Sequence, residues 1–143
     1  MAMTMHLDVV TAEKKLFSGT VEEVIAPGVL GNMGILPRHA QLISRLRAGE
    51  LQYRTTEGNL ASLFVSGGIL EVQPHVVTVL ADTGMRAEDL DEQAAREAMQ
   101  RAKDALEGKD PEDLDYESIQ AELEAAKAQI EMLHRIGKLR GHH

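Results

Sequence analysis

Residues 65–82 read VSGGILEVQPHVVTVLAD, and this segment decides how the rest of the chain is interpreted. It contains two short apolar runs, at residues 69–72 and 76–81, which are separated by Gln-Pro-His. The runs are rich in β-branched residues, too short for stable helices and bounded by turn residues, and this pattern predicts paired strands. Beyond Asp82, valine and glycine give way to alanine, glutamate and arginine. The sequence therefore predicts a β part that ends here and a helical part that begins here.

The composition of the 143-residue chain limits the classes of protein to which it can belong. It has no cysteine, which excludes disulfides and thiolate zinc sites. The formal net charge of -8 argues against a general nucleic-acid-binding protein, because phosphate binding needs clustered lysine and arginine. No apolar run approaches the roughly 20 residues that span a bilayer, and the N-terminus lacks the features of a signal peptide. We expect a soluble, intracellular protein.

The pattern of the chain predicts an α+β fold in which residues 1–84 form an antiparallel β-sandwich of two sheets or a β-barrel. Apolar and polar residues alternate in short segments along this part, and turn residues separate the segments. The alternation places one face of each strand inward, as two packed sheets require. Strands are expected at residues 5–9, 21–26, 42–46, 51–55 and 60–65 and at the two runs described above.

Residues 85–143 are predicted to form an antiparallel helix pair, with helices at about residues 89–107 and 115–139. Asp89 and Glu92 have the spacing of a capping box, and Gly108 is a typical helix end. Apolar residues of the second helix recur every three or four positions, forming one narrow stripe. The stripe of the first helix is mostly alanine, and each alanine buries about one methyl group, worth roughly 0.8 kcal/mol. We expect a pair that is held together weakly, with a small, tightly packed hairpin as the alternative.

The sequence shows no catalytic or metal-binding motif. Its six histidines lack the i, i+4 spacing and the His-Glu-x-x-His pattern of metal sites. No serine lies in a Gly-x-Ser-x-Gly elbow, and the glycines at 28, 31 and 34 do not precede a predicted helix, as a phosphate loop requires. These residues favour an interaction protein over an enzyme. A free-standing β-sandwich that binds a ligand is the alternative, and a small hydrolase is the third hypothesis.

A series of short motifs runs in order along the chain. Its members are residues 6–10 (HLDVV), 17–19 (FSG), 34–37 (GILP), 39–40 (HA), 66–74 (SGGILEVQP) and 77–83 (VTVLADT). The series covers the whole chain, including the helical part, and resembles the epsilon subunit of bacterial F-type ATP synthases. The resemblance implies two five-stranded sheets, a C-terminal helix pair and a non-catalytic role in the central stalk.

The resemblance also implies the partners and the location of the protein. The sandwich would bind the gamma subunit and rest on the membrane ring of c subunits, and the extended helices would reach the alpha and beta subunits. Such a subunit couples proton transport through the c-ring to ATP synthesis and inhibits ATP hydrolysis through its C-terminal helices. It would be a peripheral protein on the cytoplasmic face of the bacterial inner membrane, attached to the membrane only through the complex.

The resemblance assigns the loop at residues 31–39 to contact with the c-ring. The family usually has glutamate at the position of Asn32, glycine at that of Arg38 and proline at that of Gln41. Fewer acids and an added arginine change the charge that this loop offers to the ring. The candidate contact residues are Gly31, Asn32, Met33, Arg38 and His39.

Some members of the family bind ATP through an element that begins with Ile/Leu-Asp-x-x-Arg-Ala, followed by a later Arg-Ala. Asp91 and Arg101 match this pattern, but Ala94 occupies the position of the first arginine. Losing a guanidinium that pairs with phosphate weakens binding, and Arg96 is turned roughly 200° around the helix from that position. We therefore expect no cofactor, and Asp91 and Arg101 remain a weak or absent nucleotide site.

In the family the helix pair is a switch between a folded and an extended state, which requires two states within a few kcal/mol of each other. Residues 125–140 have an excess of bases, which is either a solvated surface or a docking surface for an acidic partner. The resemblance favours docking on the beta subunit. The candidate inhibitory contacts are Arg135, Lys138 and Arg140, and the candidate hinge is Thr83, Gly84 and Met85.

Overall fold

The computed structural model describes residues 3–139, which form two compact units that divide between Ala87 and Glu88. The first unit contains the predicted β-sandwich. Within the described residues its nine strands are β1 (Met5–Val10), β2 (Lys15–Gly28), β3 (Gly31–Ile35), β4 (Leu42–Leu46), β5 (Gly49–Thr55), β6 (Leu60–Val65), β7 (Gly68–Val72), β8 (Val76–Ala81) and β9 (Gly84–Arg86).

Strand β2 belongs to both layers of the sandwich, which explains why nine strands are found where about ten were expected. Its first half pairs with β1 (Val9↔Phe17), and its second half pairs with β3 and β5 (Val24↔Ile35 and Val24↔Tyr53). One layer therefore has the order β4-β7-β8-β1-β2, and the other has the order β3-β2-β5-β6-β9. The strands β1 and β8 are parallel, and the other pairings in the described chain are antiparallel.

The core between the layers is aliphatic, as the composition requires. Leu7 and Val9 of β1 and Val77 and Val79 of β8 are fully buried, whereas the residues between them are more exposed. Burying each such side chain contributes about 1.5–3 kcal/mol. The ring of Tyr53 joins this core and lies 4.2 Å from the ring of Phe17, centroid to centroid. The alternation seen in the sequence is therefore the pattern that fills the core.

The double glycine at the start of the segment 65–82 allows β7 and β8 to pair. Gly67 and Gly68 have φ values of 131° and 144°, which favour glycine over other residues. A Cβ at position 68 would collide with the backbone carbonyl of Leu80 and would lie 2.9 Å from the Cα of Ala81. Both of these atoms belong to the neighbouring strand. Glycine is therefore required here for close approach of the two backbones.

The second unit is a helix pair, α1 (Glu92–Leu106) and α2 (Tyr116–Leu139), which is preceded by a short 3-10 turn at Ala87–Asp89. Asp91 caps α1, because its carboxylate accepts hydrogen bonds from the backbone N–H groups of Gln93 and Ala94 at 3.0 and 3.3 Å. The predicted cap at Asp89 was wrong, since that residue lies in the 3-10 turn. Gly108 follows α1 with a φ of 79°.

The helices pack through small and aliphatic residues. Ala95 and Ala102 are buried on α1, whereas Ala94 and Ala105, which were expected in the same stripe, are exposed. Only part of the expected alanine stripe of α1 is therefore buried. Among the described side chains of α2, the buried ones are Leu123, Ala126, Ala128, Ile130 and Met132. In the described part of the chain, neither helix combines the length and the apolar character that crossing a membrane requires.

Candidate protein-interaction surfaces

One layer of the sandwich has exposed aliphatic residues on its outer surface. Ile43, Ile69 and Leu80 are 71%, 45% and 51% exposed, and they lie on the neighbouring strands β4, β7 and β8. Ile69 is paired with Leu80, and Leu80 with Val10 of β1, so these side chains point to the same side of the layer. We call Val10, Ile43, Ile69 and Leu80 the apolar face. Adjacent exposed apolar residues of this kind are typical of protein-interaction sites.

Polar residues lie across the same surface in the adjacent row of paired positions. Asp8 pairs with Thr78, Thr78 with Glu71, and Glu71 with Ile43. A shallow depression of about 360 Å³ opens at the Glu71 end of this row. Its lining residues are Gln41, Leu42, Ile43, Glu71, Val72 and Gln73. The depression is continuous with the apolar face, which fits the margin of a protein interface.

A serine, a histidine and an aspartate meet on the outside of β1 and β2. Ser18 Oγ donates to Asp8 Oδ1 at 2.6 Å, and His6 Nε2 lies 3.1 Å from both of these oxygens. The hydrogen bond from Ser18, followed by that from His6, lowers the pKa of Asp8 from its usual value against the opposing effect of burial. In a catalytic triad the serine hydrogen-bonds the histidine and the aspartate orients it. Here Ser18 donates to the aspartate, so the group orders the surface and does not form a nucleophile.

The candidate c-ring residues divide between the two ends of β3. Gly28 and Gly31 are paired and enclose Val29 and Leu30, which are 51% and 101% exposed. Asn32, next along β3, accepts a 2.8 Å hydrogen bond from Arg47. The hairpin therefore presents an apolar tip, which the sequence reasoning missed. Its signal was the pair Val-Leu between two glycines.

Arg38 and His39 lie beyond the other end of β3. At about 3.3 Å per residue, the strand from Gly31 to Ile35 is about 13 Å long, and it lies between these residues and the tip. Arg38 has a φ of 67°, and its backbone N–H donates to the carbonyl of Pro74. His39 Nδ1 donates to the Ala40 carbonyl at 2.7 Å. The structure therefore does not bring the five candidate residues together, and Met33 is partly buried against the core.

The two candidate nucleotide residues also lie apart. Asp91 is occupied as the cap of α1, and Arg101 is exposed ten positions later, about 15 Å along the helix axis. Ala94 is exposed and carries no polar group. The geometry of this helix gives no converging set of phosphate ligands at these positions.

Two residues of the first turns of α1 meet one residue near the end of α2. Oxygen Oε2 of Glu92 lies 2.7 Å from a guanidinium nitrogen of Arg96 and 3.1 Å from Nε2 of His134. The hydrogen bond from Arg96, and then that from His134, lowers the pKa of Glu92 from its usual value. The sequence reasoning weighed His134 only as a metal ligand and missed this contact, because it joins residues 42 positions apart.

The candidate inhibitory contacts lie at the end of α2. Arg135 is partly buried on this helix. Lys138 is within the helix, but its side chain lies outside the described part of the chain, and Arg140 lies outside the described residues altogether.

The expected hinge is part of the sandwich. Gly84 and Met85 belong to β9, where they pair with Val65 and Phe64, and the backbone N–H of Thr83 donates to Ser66 Oγ at 2.9 Å. The hinge prediction is therefore corrected, because strand pairing holds these residues. The connection between the two units begins at residue 87.

Comparisons with known proteins cover both units. The β-sandwich domain of the ATP synthase delta/epsilon chain matches residues 4–87, and the long alpha-helix domain of that chain matches residues 88–133. The chain is 54% identical over 141 residues to the ATP synthase epsilon chain of Nitrosococcus oceani, covering 99% of this chain and 100% of that protein. It is 53% identical over 143 residues to the ATP synthase epsilon chain of Thioalkalivibrio sulfidiphilus, covering 99% of each.

A solved structure has the same fold at lower sequence identity. It is a chain in the mitochondrial ATP synthase of Euglena gracilis, in a cryo-EM structure of OSCP, F1 and the c-ring, with a TM-score of 0.80 and 20% identity. The match covers 92% of this chain and 82% of that chain.

Proposed function

The chain belongs to the ATP synthase epsilon chain family, and we propose that it is a rotor subunit that couples proton transport to ATP synthesis and restrains ATP hydrolysis. The observation that carries the proposal is identity above 50% to two epsilon chains over at least 99% of both sequences. Relatives with this name are non-catalytic parts of a membrane-bound enzyme complex. We place this chain in the central stalk, peripheral to the cytoplasmic side of a bacterial inner membrane.

The apolar face is the surface that we assign to the gamma subunit. Ile43, Ile69 and Leu80 expose aliphatic surface that a free protein would leave in water, and burying the exposed part of each side chain favours association. Asp8 and Glu71 lie in the adjacent row and Arg45 is paired with Ile69, so the surface favours a partner that has charges of both signs at the matching positions.

The tip of the β2–β3 hairpin is the surface that we assign to the c-ring. Val29 and Leu30 extend from it, and Asn32 is held by Arg47 beside them. Arg38 and His39 lie at the other end of β3, so we assign them to a contact patch separate from the tip. The amide of Asn32 replaces the family's usual carboxylate, so shape and apolar contact contribute more here than charge.

The helix pair is the element that we assign to inhibition through contact with the alpha and beta subunits. Its interface includes the alanines Ala95, Ala102 and Ala126, so the folded pair has a modest free energy of closure. Arg135, Lys138 and Arg140 remain the proposed contacts to an acidic segment of the beta subunit. We propose that ATP does not regulate the pair, because Ala94 provides no phosphate ligand.

Binding to the gamma subunit tests the assignment of the apolar face. Ile69→Asp should weaken the complex about tenfold or more, because it replaces a buried contact with a desolvated charge. Leu60→Asp is the matched control, since Leu60 is also 45% exposed but lies on β6 of the other layer. Calorimetry with purified gamma subunit should show this difference. Absence of any complex would contradict the rotor assignment, and equal weakening by both variants would contradict the choice of surface.

A further inference from the structure

Residues 36–39 form a tight turn in the connection between β3 and β4. The backbone N–H of His39 donates to the carbonyl of Leu36 at 3.2 Å, which closes a β-turn with Pro37 and Arg38 at its centre. The proline ring holds its own φ at about -65°, and Arg38 has a φ of 67°. A negative φ followed by a positive one is the pattern of a type II turn. The second central position of such a turn favours glycine or asparagine over other residues.

Arginine at this position reduces the stability of the folded chain. A residue with a Cβ is crowded in the left-handed region, whereas glycine adopts a positive φ without that crowding. The turn is nevertheless tied to its neighbours, since the backbone N–H of Arg38 donates to the carbonyl of Pro74 at 2.8 Å. Pro74 belongs to the connection between β7 and β8, in which the backbone N–H of Gln73 donates to the carbonyl of Val76 at 2.9 Å. The strained backbone is therefore held in place by the strands on either side.

The guanidinium of Arg38 makes no contact that offsets this loss of stability. The residue is exposed, and among residues 3–139 neither an ion pair nor a side-chain hydrogen bond joins its guanidinium to another group. Several other arginines do form hydrogen bonds through their guanidinium groups, namely Arg47, Arg54, Arg86 and Arg96. Residues with strained backbones are concentrated at functional sites. The strain and the unpaired side chain together indicate that Arg38 binds something outside its own chain.

The turn borders the depression that adjoins the apolar face. Gln41, which lines the depression, follows the turn by two residues, and Gln73, which also lines it, precedes the Pro74 that is bonded to Arg38. Ile43 lines the depression as well and belongs to the apolar face. The tip of the β2–β3 hairpin, in contrast, lies at the other end of β3. Arg38 is therefore at the margin of the surface assigned to the gamma subunit and not at the surface assigned to the c-ring.

We propose that Arg38 determines the specificity of the gamma-binding surface by pairing with a carboxylate of the gamma subunit at the edge of the interface. The inference rests on the function proposed above. A guanidinium can donate two parallel hydrogen bonds to a carboxylate, which fixes orientation as well as charge. Charged pairs at the rim of an interface select the partner, while the apolar contacts lie inside the rim. The stability lost in the free chain is thus offset in the complex.

Replacing Arg38 by glycine separates the effect on the free chain from the effect on the complex. Arg38→Gly should raise the equilibrium constant for folding about two- to fivefold, because glycine adopts the φ of 67° without crowding. The same variant should lower the affinity for purified gamma subunit about three- to tenfold, because the carboxylate loses its partner. Urea unfolding and calorimetry on the full chain measure the two quantities. A purely structural role would move stability and affinity in the same direction.

Two further variants and the salt dependence identify the charge as the cause. Arg38→Lys keeps the positive charge and should retain more of the affinity than Arg38→Gly, although an ammonium lacks the planar fork of the guanidinium. Arg54→Gln removes one positive charge from β5 in the other layer, and it should leave the affinity for the gamma subunit unchanged. The affinity of Arg38→Gly should depend less on salt concentration than that of the parent, because salt screens an exposed ion pair.

Several results would overturn the proposal. They are equal affinity of Arg38→Gly and the parent for the gamma subunit, an equal loss of affinity in Arg54→Gln, and a decrease in stability in Arg38→Gly. Weaker binding of Arg38→Gly to a purified c-ring, with gamma binding unchanged, would overturn it in favour of a contact with the ring. If Ile69→Asp weakens the gamma complex and Arg38→Gly does not, only this inference fails and the proposed function stands. Absence of gamma binding by the parent overturns both.

Discussion

At the scale of single residues, position 68 decides whether two strands of the core layer can pair. Gly68→Ala should destabilise the protein by roughly 2–4 kcal/mol, because the methyl group meets the backbone of β8 and the φ of 144° strains any other residue. Gly34→Ala is the matched control, since a Cβ there meets nothing within 4 Å, and it should change stability by less than about 0.5 kcal/mol. Urea unfolding measures both. Equal losses of stability in the two variants would contradict the conclusion that close approach of β7 and β8 requires glycine at position 68.

Asp8 gives a second prediction at this scale. Its pKa is lowered mainly by the hydrogen bond from Ser18, so Ser18→Ala should raise the pKa of Asp8 towards the usual value of 3.8. A lowered carboxylate pKa stabilises the folded state above the unfolded pKa, and this stabilisation is lost as pH falls through the folded pKa. The loss of stability caused by Ser18→Ala should therefore be fully present at neutral pH and should disappear as pH falls below 3.8. An NMR titration of the Asp8 carboxyl checks the shift, and an unchanged pKa in Ser18→Ala would contradict the assigned cause.

At the scale of elements, substitutions at the start of α1 distinguish the observed cap, Asp91, from the expected cap, Asp89. Asp91→Ala should cost about 1 kcal/mol of stability, because two backbone N–H groups lose their acceptor. Asp89→Ala, two positions earlier in the 3-10 turn, should cost much less. Thermal unfolding followed by circular dichroism compares the variants. A larger loss of stability from Asp89→Ala than from Asp91→Ala would contradict this assignment and support the capping box predicted from the sequence.

The elements also show which features follow from neighbouring residues and which depend on residues that are distant in the sequence. The strands, the helix pair and the terminating Gly108 follow from alternation, spacing and turn residues, which are properties of neighbouring positions. Only residues 21–26 of the long β2 were predicted as a strand, because the role of β2 in two layers depends on partners from β1, β3 and β5. The short β9 was read as a hinge because its pairing with β6 leaves no periodic signal in three residues.

The candidate site could be predicted only in part for the same reason. The loop at residues 31–39 was found through resemblance, but its division between two ends of β3 is a matter of geometry. The apolar face joins residues from four strands through Ile69↔Leu80 and similar pairs, and no sequence window contains them together. The contact between Glu92 and His134 needs the helix pair to be folded before it exists.

At the scale of the whole molecule, the chain divides into a sandwich that we propose binds the rotor and a helix pair that we propose inhibits ATP hydrolysis. The boundary at residue 87, after β9, is the place to cut, because a cut after residue 84 would remove the strand that pairs with β6. A fragment of residues 1–87 retains every strand of the described sandwich. It should therefore bind the gamma subunit as the full chain does.

The most direct test is the rate of ATP hydrolysis by a catalytic head that lacks this subunit, titrated with the full chain and with residues 1–87. We predict that the full chain lowers the rate, and that the fragment leaves the rate unchanged while competing with the full chain for its binding site. Inhibition of equal strength by the fragment would contradict the role assigned to the helix pair. Failure of both proteins to bind would contradict the assignment to the rotor.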